Sequence, residues 1–280
     1  MWFIPCMILR KILKRILIAS MLVYISVFAV IWYARIGLIY PFSLQETYKT
    51  PLQASVPQLT EKNMTTKDGE TLILWVSPAK GRKATFIYFH GNAGALSGRA
   101  NRFTELTNRG YGLVAIAYRG SSGSTGRPSE GNITNDTRLL IEQLPMILGK
   151  APKGKTIYYG ESLGTGVATK LALTYPPDAL ILEAPYTSIV SLAAMRMPYF
   201  PIRMTLDQKW ETESYIKKVG SPTLVIHGTR DQVIPYSMGK SVFTLSGATT
   251  KQMKTIKDGN HLSAFTAKGQ AAIYRFVEGL

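Results

Sequence analysis

Thr156-Ile157-Tyr158-Tyr159-Gly160-Glu161-Ser162-Leu163-Gly164-Thr165-Gly166 decides the reading of this 280-residue chain. Strand-favouring residues run directly into Gly160-Glu161-Ser162-Leu163-Gly164, and a helical pattern over 163–174 follows without a break. A bare Gly-x-Ser-x-Gly is weak evidence, because Gly and Ser are common residues. Its setting gives it meaning: a sharp strand-to-helix turn projects a serine hydroxyl above a sheet, and only glycine tolerates the crowding on either side. Ser162 is therefore a candidate nucleophile, with Gly166 letting the helix pack close. The competing reading is an ordinary serine capping a helix N-terminus.

Outward from this motif, short apolar runs bounded by Gly, Pro or charge recur at 71–76, 84–89, 113–118, 179–182 and 223–226, with a last strand at 252–256. Runs without polar alternation suit strands buried on both faces. Helical patterns at 96–108, 134–148, 236–245 and 262–277 lie between or after them, so the rhythm predicts a mostly parallel α/β sheet with helices on both faces. An insertion over 186–219 breaks that rhythm. It holds Met195, Met197, Tyr199, Phe200, Met204 and Trp210, and reads either as a lid over the site or as apolar packing on the sheet.

A serine needs a base to remove its proton, and the base needs a carboxylate to fix its tautomer. In a strand-turn-helix site the partners follow the serine in the order acid, then histidine. His227 and His261 both follow Ser162. His227 closes an apolar run and precedes Gly228, which suits turn support; His261, in the loop Asp258-Gly259-Asn260-His261 after the last strand, is the favoured base. Asp231 follows a strand end thirty residues before His261 and is the favoured acid, ahead of Asp207 in the insertion and Asp258 beside the histidine. An oxyanion hole takes two backbone donors. Leu163 is expected to supply one, and Asn92, with Ala93 as second choice, the other from His90-Gly91-Asn92-Ala93-Gly94. His90 precedes the nucleophile and reads as support for that loop rather than as a base.

Residues 16–34 carry no formal charge and are almost all apolar, bounded by Arg15 and Arg35. That length spans a hydrocarbon core and exceeds the apolar part of a cleavable signal, so an uncleaved anchor is expected. Arg10, Lys11, Lys14 and Arg15 precede it, against Arg35 and Lys49 after it. The bias predicts a cytoplasmic N-terminus (1–15) and a body on the periplasmic or extracytoplasmic side. Residues 35–57 read as a linker and 58–280 as the soluble domain. The net charge is +16, of which the first fifty residues hold +5. No nucleic-acid motif accompanies the surplus, so a basic surface near anionic headgroups is the preferred reading, with plain solubility as the alternative. The three histidines lie far apart without metal-ligand spacing, and Cys6 is the lone cysteine, so neither a metal nor a disulfide is expected.

Taken together, His90-Gly91-Asn92-Ala93-Gly94, Tyr118-Arg119-Gly120 with Gly123-Ser124-Thr125-Gly126-Arg127-Pro128-Ser129-Glu130, Gly160-Glu161-Ser162-Leu163-Gly164, His227-Gly228 with Asp231, and Gly259-Asn260-His261 are specific. From Leu59 to the C-terminus the chain resembles the membrane-anchored branch of the α/β-hydrolase superfamily, which includes ABHD-type lipid hydrolases, protein depalmitoylases and bacterial relatives with a serine aminopeptidase-like domain. The resemblance implies an eight-stranded sheet, the same triad and oxyanion loop, and often an N-terminal anchor. Ser121 stands where relatives usually carry a bulky aromatic, which is expected to widen the site. The expected activity is hydrolysis of an ester or thioester of a small-molecule or lipid acyl substrate, with no cofactor. A serine aminopeptidase-like amide hydrolase and a non-catalytic binding protein on the same fold are the alternatives.

Overall fold

The computed structural model describes residues 6–42 and 48–280; residues 1–5 of the basic N-terminal segment and 43–47 of the linker lie outside it. The chain divides into two units, Met1–Tyr40 and Pro41–Leu280. In the first, helix α1 spans Cys6–Ile39, and by length and composition it is able to cross a membrane. It begins before the basic cluster, so Arg10, Lys11, Lys14 and Arg15 are themselves helical.

The second unit is built on one eight-stranded sheet in the order β1-β2-β4-β3-β5-β6-β7-β8. The strands are β1 Thr60–Thr65, β2 Thr71–Ser77, β3 Thr85–Phe89, β4 Gly112–Ile116, β5 Thr156–Glu161, β6 Ala179–Glu183, β7 Thr223–Gly228 and β8 Lys251–Ile256. β2 pairs antiparallel with β1 and β4, and the remaining pairs are parallel. Every residue of β3, β4, β6 and β7 is buried, which is why those strands read as unbroken apolar runs. The edges differ. β1 buries only Met64, and β8 carries Lys251 and Lys254, charges that discourage pairing with another chain.

Ten helices complete the described residues: after α1 come α2 Ala100–Asn108, α3 Glu130–Glu142, α4 Leu144–Leu148, α5 Leu163–Ala172, α6 Ile189–Arg196, α7 Ile202–Thr205, α8 Thr212–Ile216, α9 Tyr236–Leu245 and α10 Ala267–Glu278. Several expected boundaries move. The helix expected over 96–108 opens with a 3-10 turn, Leu96–Arg99, before α2. The one expected over 134–148 starts earlier, where the Ser129 hydroxyl accepts the Asn132 N–H at 3.1 Å, and breaks before Pro145. The last begins at Ala267, after a 3-10 turn, Ser263–Phe265.

The insertion divides by residue: Ile202 and Trp210 are buried, whereas Met195, Tyr199 and Met204 are exposed. Glu130 fastens its second half, accepting the backbone N–H of Lys209 at 2.6 Å and of Trp210 at 3.1 Å while pairing with Lys170 at 2.7 Å.

Topology fixes where chemistry can occur. The chain leaves β3 for β4 on one side and later returns to pair β5 on the other. Loops leaving the C-terminal ends of β3 and β5 therefore diverge and open a crevice between them.

Candidate active site

Ser162 occupies that crevice, between the last residue of β5 and the first of α5. Its backbone has φ 51° and ψ −115°, a strained conformation for a residue with a side chain. Its neighbours explain how the turn closes. A Cβ at Gly160 would fall 2.4 Å from the Gly164 carbonyl oxygen, and one at Gly164 would fall 2.0 Å from that of Phe89. Both contacts are with backbone, which has nowhere to move. Gly164→Ala is accordingly expected to destabilise the fold by about 3 kcal/mol, read as a lowered thermal midpoint; an unchanged midpoint would contradict this packing. The Ser162 N–H donates to the Glu183 carbonyl at 2.8 Å, tying the turn to the end of β6.

The two residues expected as partners meet Ser162 from separate loops. His261 Nε2 is 3.1 Å from Ser162 Oγ, and His261 Nδ1 is 2.7 Å from Asp231 Oδ2. The Asp231 side chain has no exposed surface, whereas that of His261 is 18% exposed, so the imidazole faces the cleft and the carboxylate stands behind it. Asp231 Oδ1 accepts the backbone N–H groups of Val233 and Ile234, each at 2.8 Å. Burial pushes the Asp231 carboxyl up, but hydrogen bonds from His227, His261 and the Ile234 amide outweigh it and hold it below the usual carboxylate range. The other candidate acids lie elsewhere: Asp258 pairs with Arg230 at 2.9 Å in an exposed turn, and Asp207 is exposed in the insertion.

His227 does more than support a turn. Its Nε2 lies 3.0 Å from the Ile234 carbonyl oxygen and 3.2 Å from Asp231 Oδ2, while its buried Nδ1 has no hydrogen-bond partner among the described residues. A proton on Nε2 serves both acceptors, so His227 shares Asp231 with His261.

The loop after β3 lies against the turn that carries Ser162: a Cβ on Gly91 would stand 3.3 Å from Ser162 Cβ. His90 is fully buried at its base, its Nδ1–H donating to the Gly91 carbonyl at 2.7 Å and its Nε2 accepting the Tyr118 N–H at 3.2 Å. Burial and the nearby Arg99 cation lower its pKa to about 3, so it supports the loop as an uncharged ring. Asn92 is half-buried and Ala93 exposed in this loop, while Leu163, on the other side, begins α5. Ser121 has no exposed surface, its Oγ 3.1 Å from Ser122 Oγ, so the widening expected from its small size does not reach the open cleft.

A buried ionic cluster beneath the crevice escaped the sequence reading. Arg99 meets Glu161, and Arg102 meets Glu183. The available signal was a charged residue at the end of each of two apolar strands, where an ion is costly unless paired.

Comparison with known proteins now decides the family. Residues 80–205 match the family described as serine aminopeptidase, S33, a span that includes the loop after β3 and Ser162 but ends before Asp231. An uncharacterized protein of Mycobacterium tuberculosis is 33% identical over 217 residues, 76% of each chain. Lysophosphatidylserine lipase ABHD12 of Macaca fascicularis is 32% identical over 213 residues, covering 69% of this chain. The chain belongs to the ABHD-type serine hydrolases. It spans about half the length of that lipase, 52%. The esterase Pf2001 of Pyrococcus furiosus shares the fold, with a TM-score of 0.67 at 18% identity over 83% of this hydrolase and 94% of the esterase.

Proposed function

We propose that the hydrolase cleaves a carboxylic ester or thioester of an acyl lipid or similar apolar substrate through a Ser162-His261-Asp231 triad. The observation that carries this reading is the single imidazole spanning Ser162 Oγ and Asp231 Oδ2 at hydrogen-bond distance. Ser162 Oγ attacks the acyl carbonyl as its proton passes to His261 Nε2, and Asp231 holds the ring in the required tautomer and stabilises the imidazolium. The oxyanion is received by the backbone N–H groups of Leu163 and Asn92. His261 then protonates the departing alcohol or thiol, and a water activated by the same imidazole releases the acid from the acyl-enzyme. The scheme calls for no cofactor.

Three observations favour an apolar ester over an amide. Met195, Tyr199 and Met204 expose apolar surface on the insertion, α1 is long and apolar enough to hold the protein at a bilayer, and the ABHD12 relatives are named as lysophosphatidylserine lipases. The description of the matching family favours the alternative, an aminopeptidase-like amide hydrolase. A panel of acyl esters and thioesters of rising chain length, set beside aminoacyl arylamides, separates the two: faster turnover of the arylamides would overturn the ester reading.

The same proposal has residues 16–34 as the membrane anchor, with the N-terminus in the cytoplasm and the body outside it. Headgroup attraction is expected from the basic surface, and no nucleic-acid partner is proposed. A C-terminal reporter active only outside the cytoplasm should signal; a cytoplasm-only reporter signalling instead would reverse the orientation.

A further inference from the structure

We propose that Arg99 and Arg102, one at the head of α2 and the other a turn further on, are positioning residues that lock three catalytic loops to one another. This inference rests on the triad and oxyanion roles proposed above.

Arg99 joins the oxyanion loop to the nucleophile turn. Its Nη2 and Nε donate to the two oxygens of Glu161 at 2.8 and 3.1 Å, a fork-to-fork pair with the residue immediately before Ser162. Its Nη1 donates back to the carbonyls of Gly94 at 2.5 Å and Ala95 at 3.0 Å, in the loop that begins at Gly91. One planar guanidinium thus fixes both walls of the crevice. The Tyr88 hydroxyl, on β3, donates to the same Glu161 carboxylate.

Arg102 repeats the arrangement one strand along. It grips both oxygens of Glu183, whose backbone carbonyl accepts the Ser162 N–H at 2.8 Å. It also donates to the hydroxyls of Tyr88 at 3.0 Å and Tyr159 at 3.1 Å. Its guanidinium carbon sits 4.4 Å from the ring centroid of Phe265, in the 3-10 turn that follows His261. The nucleophile turn, the oxyanion loop and the loop of the base therefore all touch this pair.

Chemistry supports positioning over simple stabilisation. A buried ion pair is a poor source of stability compared with apolar side chains of equal volume, because desolvation consumes most of the Coulombic gain. What a forked Arg-carboxylate pair supplies is direction, since two parallel hydrogen bonds fix both distance and plane. Lysine supplies the charge without that fork. Burial pushes the Glu161 carboxyl up, but Arg99 and Arg102 outweigh it and hold the group ionised, as the fork requires.

The test uses the full-length protein in detergent, with active sites counted by a fluorophosphonate probe and turnover of 4-nitrophenyl butyrate expressed per labelled site. Arg99→Lys and Arg102→Lys should each lower kcat per site by about 10- to 100-fold, the scale of a small misplacement at the reacting centre, with KM within about 3-fold of wild type. Glu161→Gln keeps shape and loses the charged fork, so it should repeat the Arg99→Lys loss, and the Arg99→Lys/Glu161→Gln double variant should be no slower than the slower single. A merely structural role would reduce the labelled fraction and the thermal midpoint while leaving kcat per site unchanged, and that result overturns the proposal. So does a double variant whose losses multiply. Should Arg99→Lys fail to fold, Glu161→Gln and Arg102→Lys still decide the matter. Persistent labelling of Ser162→Ala would instead sink the triad reading; an inert Ser162→Ala beside fully active arginine variants defeats this inference alone.

Discussion

Ser162→Ala is expected to abolish both fluorophosphonate labelling and ester turnover, with kcat falling by about 10⁴-fold or more. Removing the nucleophile of such a triad leaves only binding and oxyanion stabilisation, and the members of a triad act as a unit. The alternative reading of Ser162 as a helix cap makes a different prediction. A capping serine accepts a backbone N–H from the first turn, yet no side-chain capping bond is formed at the start of α5. Loss of the hydroxyl should therefore cost little stability, and thermal unfolding of Ser162→Ala should lie close to wild type. The strain belongs to the backbone, so Ser162→Gly, which accepts a positive φ freely, should be more stable than Ser162→Ala by about 1 kcal/mol. Undiminished labelling of Ser162→Ala would mean that another nucleophile reacts.

The legible parts of this fold are those where burial leaves a local mark. β3, β4, β6 and β7 are buried at every position and were visible as continuous apolar runs. β1 was invisible because Thr60-Glu61-Lys62-Asn63-Met64-Thr65 turns one apolar side chain inward from an exposed edge, which no period-two pattern can report. The trio Ser162, Asp231 and His261 could be chosen because each follows a strand end, and the structure brings those three side chains into one hydrogen-bonded line. The arginine-glutamate cluster left no comparable mark. Glu161 and Glu183 end apolar strands and so call for partners, but Arg99 and Glu161 are separated by 62 positions and Arg102 and Glu183 by 81, so nothing local in the sequence names those partners.

The motif residues shared with the superfamily divide in the same way. Arg119, in Tyr118-Arg119-Gly120, clamps Asp136 at 2.8 Å and Asp68 at 2.6 Å, joining the β1–β2 turn to α3. Glu130, at the end of the next motif, holds the insertion to α3 and α5. Neither touches Ser162, Asp231 or His261. A motif that looks like one functional signature is therefore partly the frame for the cleft.

Asp231→Asn should lower kcat by about 10⁴-fold while leaving the fold and KM nearly intact, because what it changes is the placement of one proton. The wild-type carboxylate only accepts: Oδ1 takes the N–H groups of Val233 and Ile234, and Oδ2 faces His261 Nδ1 at 2.7 Å and His227 Nε2 at 3.2 Å. That arrangement puts the His261 proton on Nδ1 and leaves the Nε2 lone pair aimed at Ser162 Oγ. In the asparagine variant the two backbone donors retain the oxygen, so the amide nitrogen must occupy the Oδ2 side. An amide N–H there donates to His261 Nδ1, moves the imidazole proton to Nε2, and leaves no lone pair to accept the Ser162 proton. His227 then faces a donor as well, so a partial loss of stability is expected. Its pH dependence has a definite sign. The Asp231 carboxyl is held below its ordinary pKa in the folded chain, so its stabilising contribution is complete above the unfolded value, about 4, and is lost as pH falls through the folded one. The stability gap between wild type and Asp231→Asn should accordingly be widest near neutrality and shrink at acid pH, measured by chemical denaturation. A variant that retained wild-type kcat would show that His261 takes its orientation from some other group.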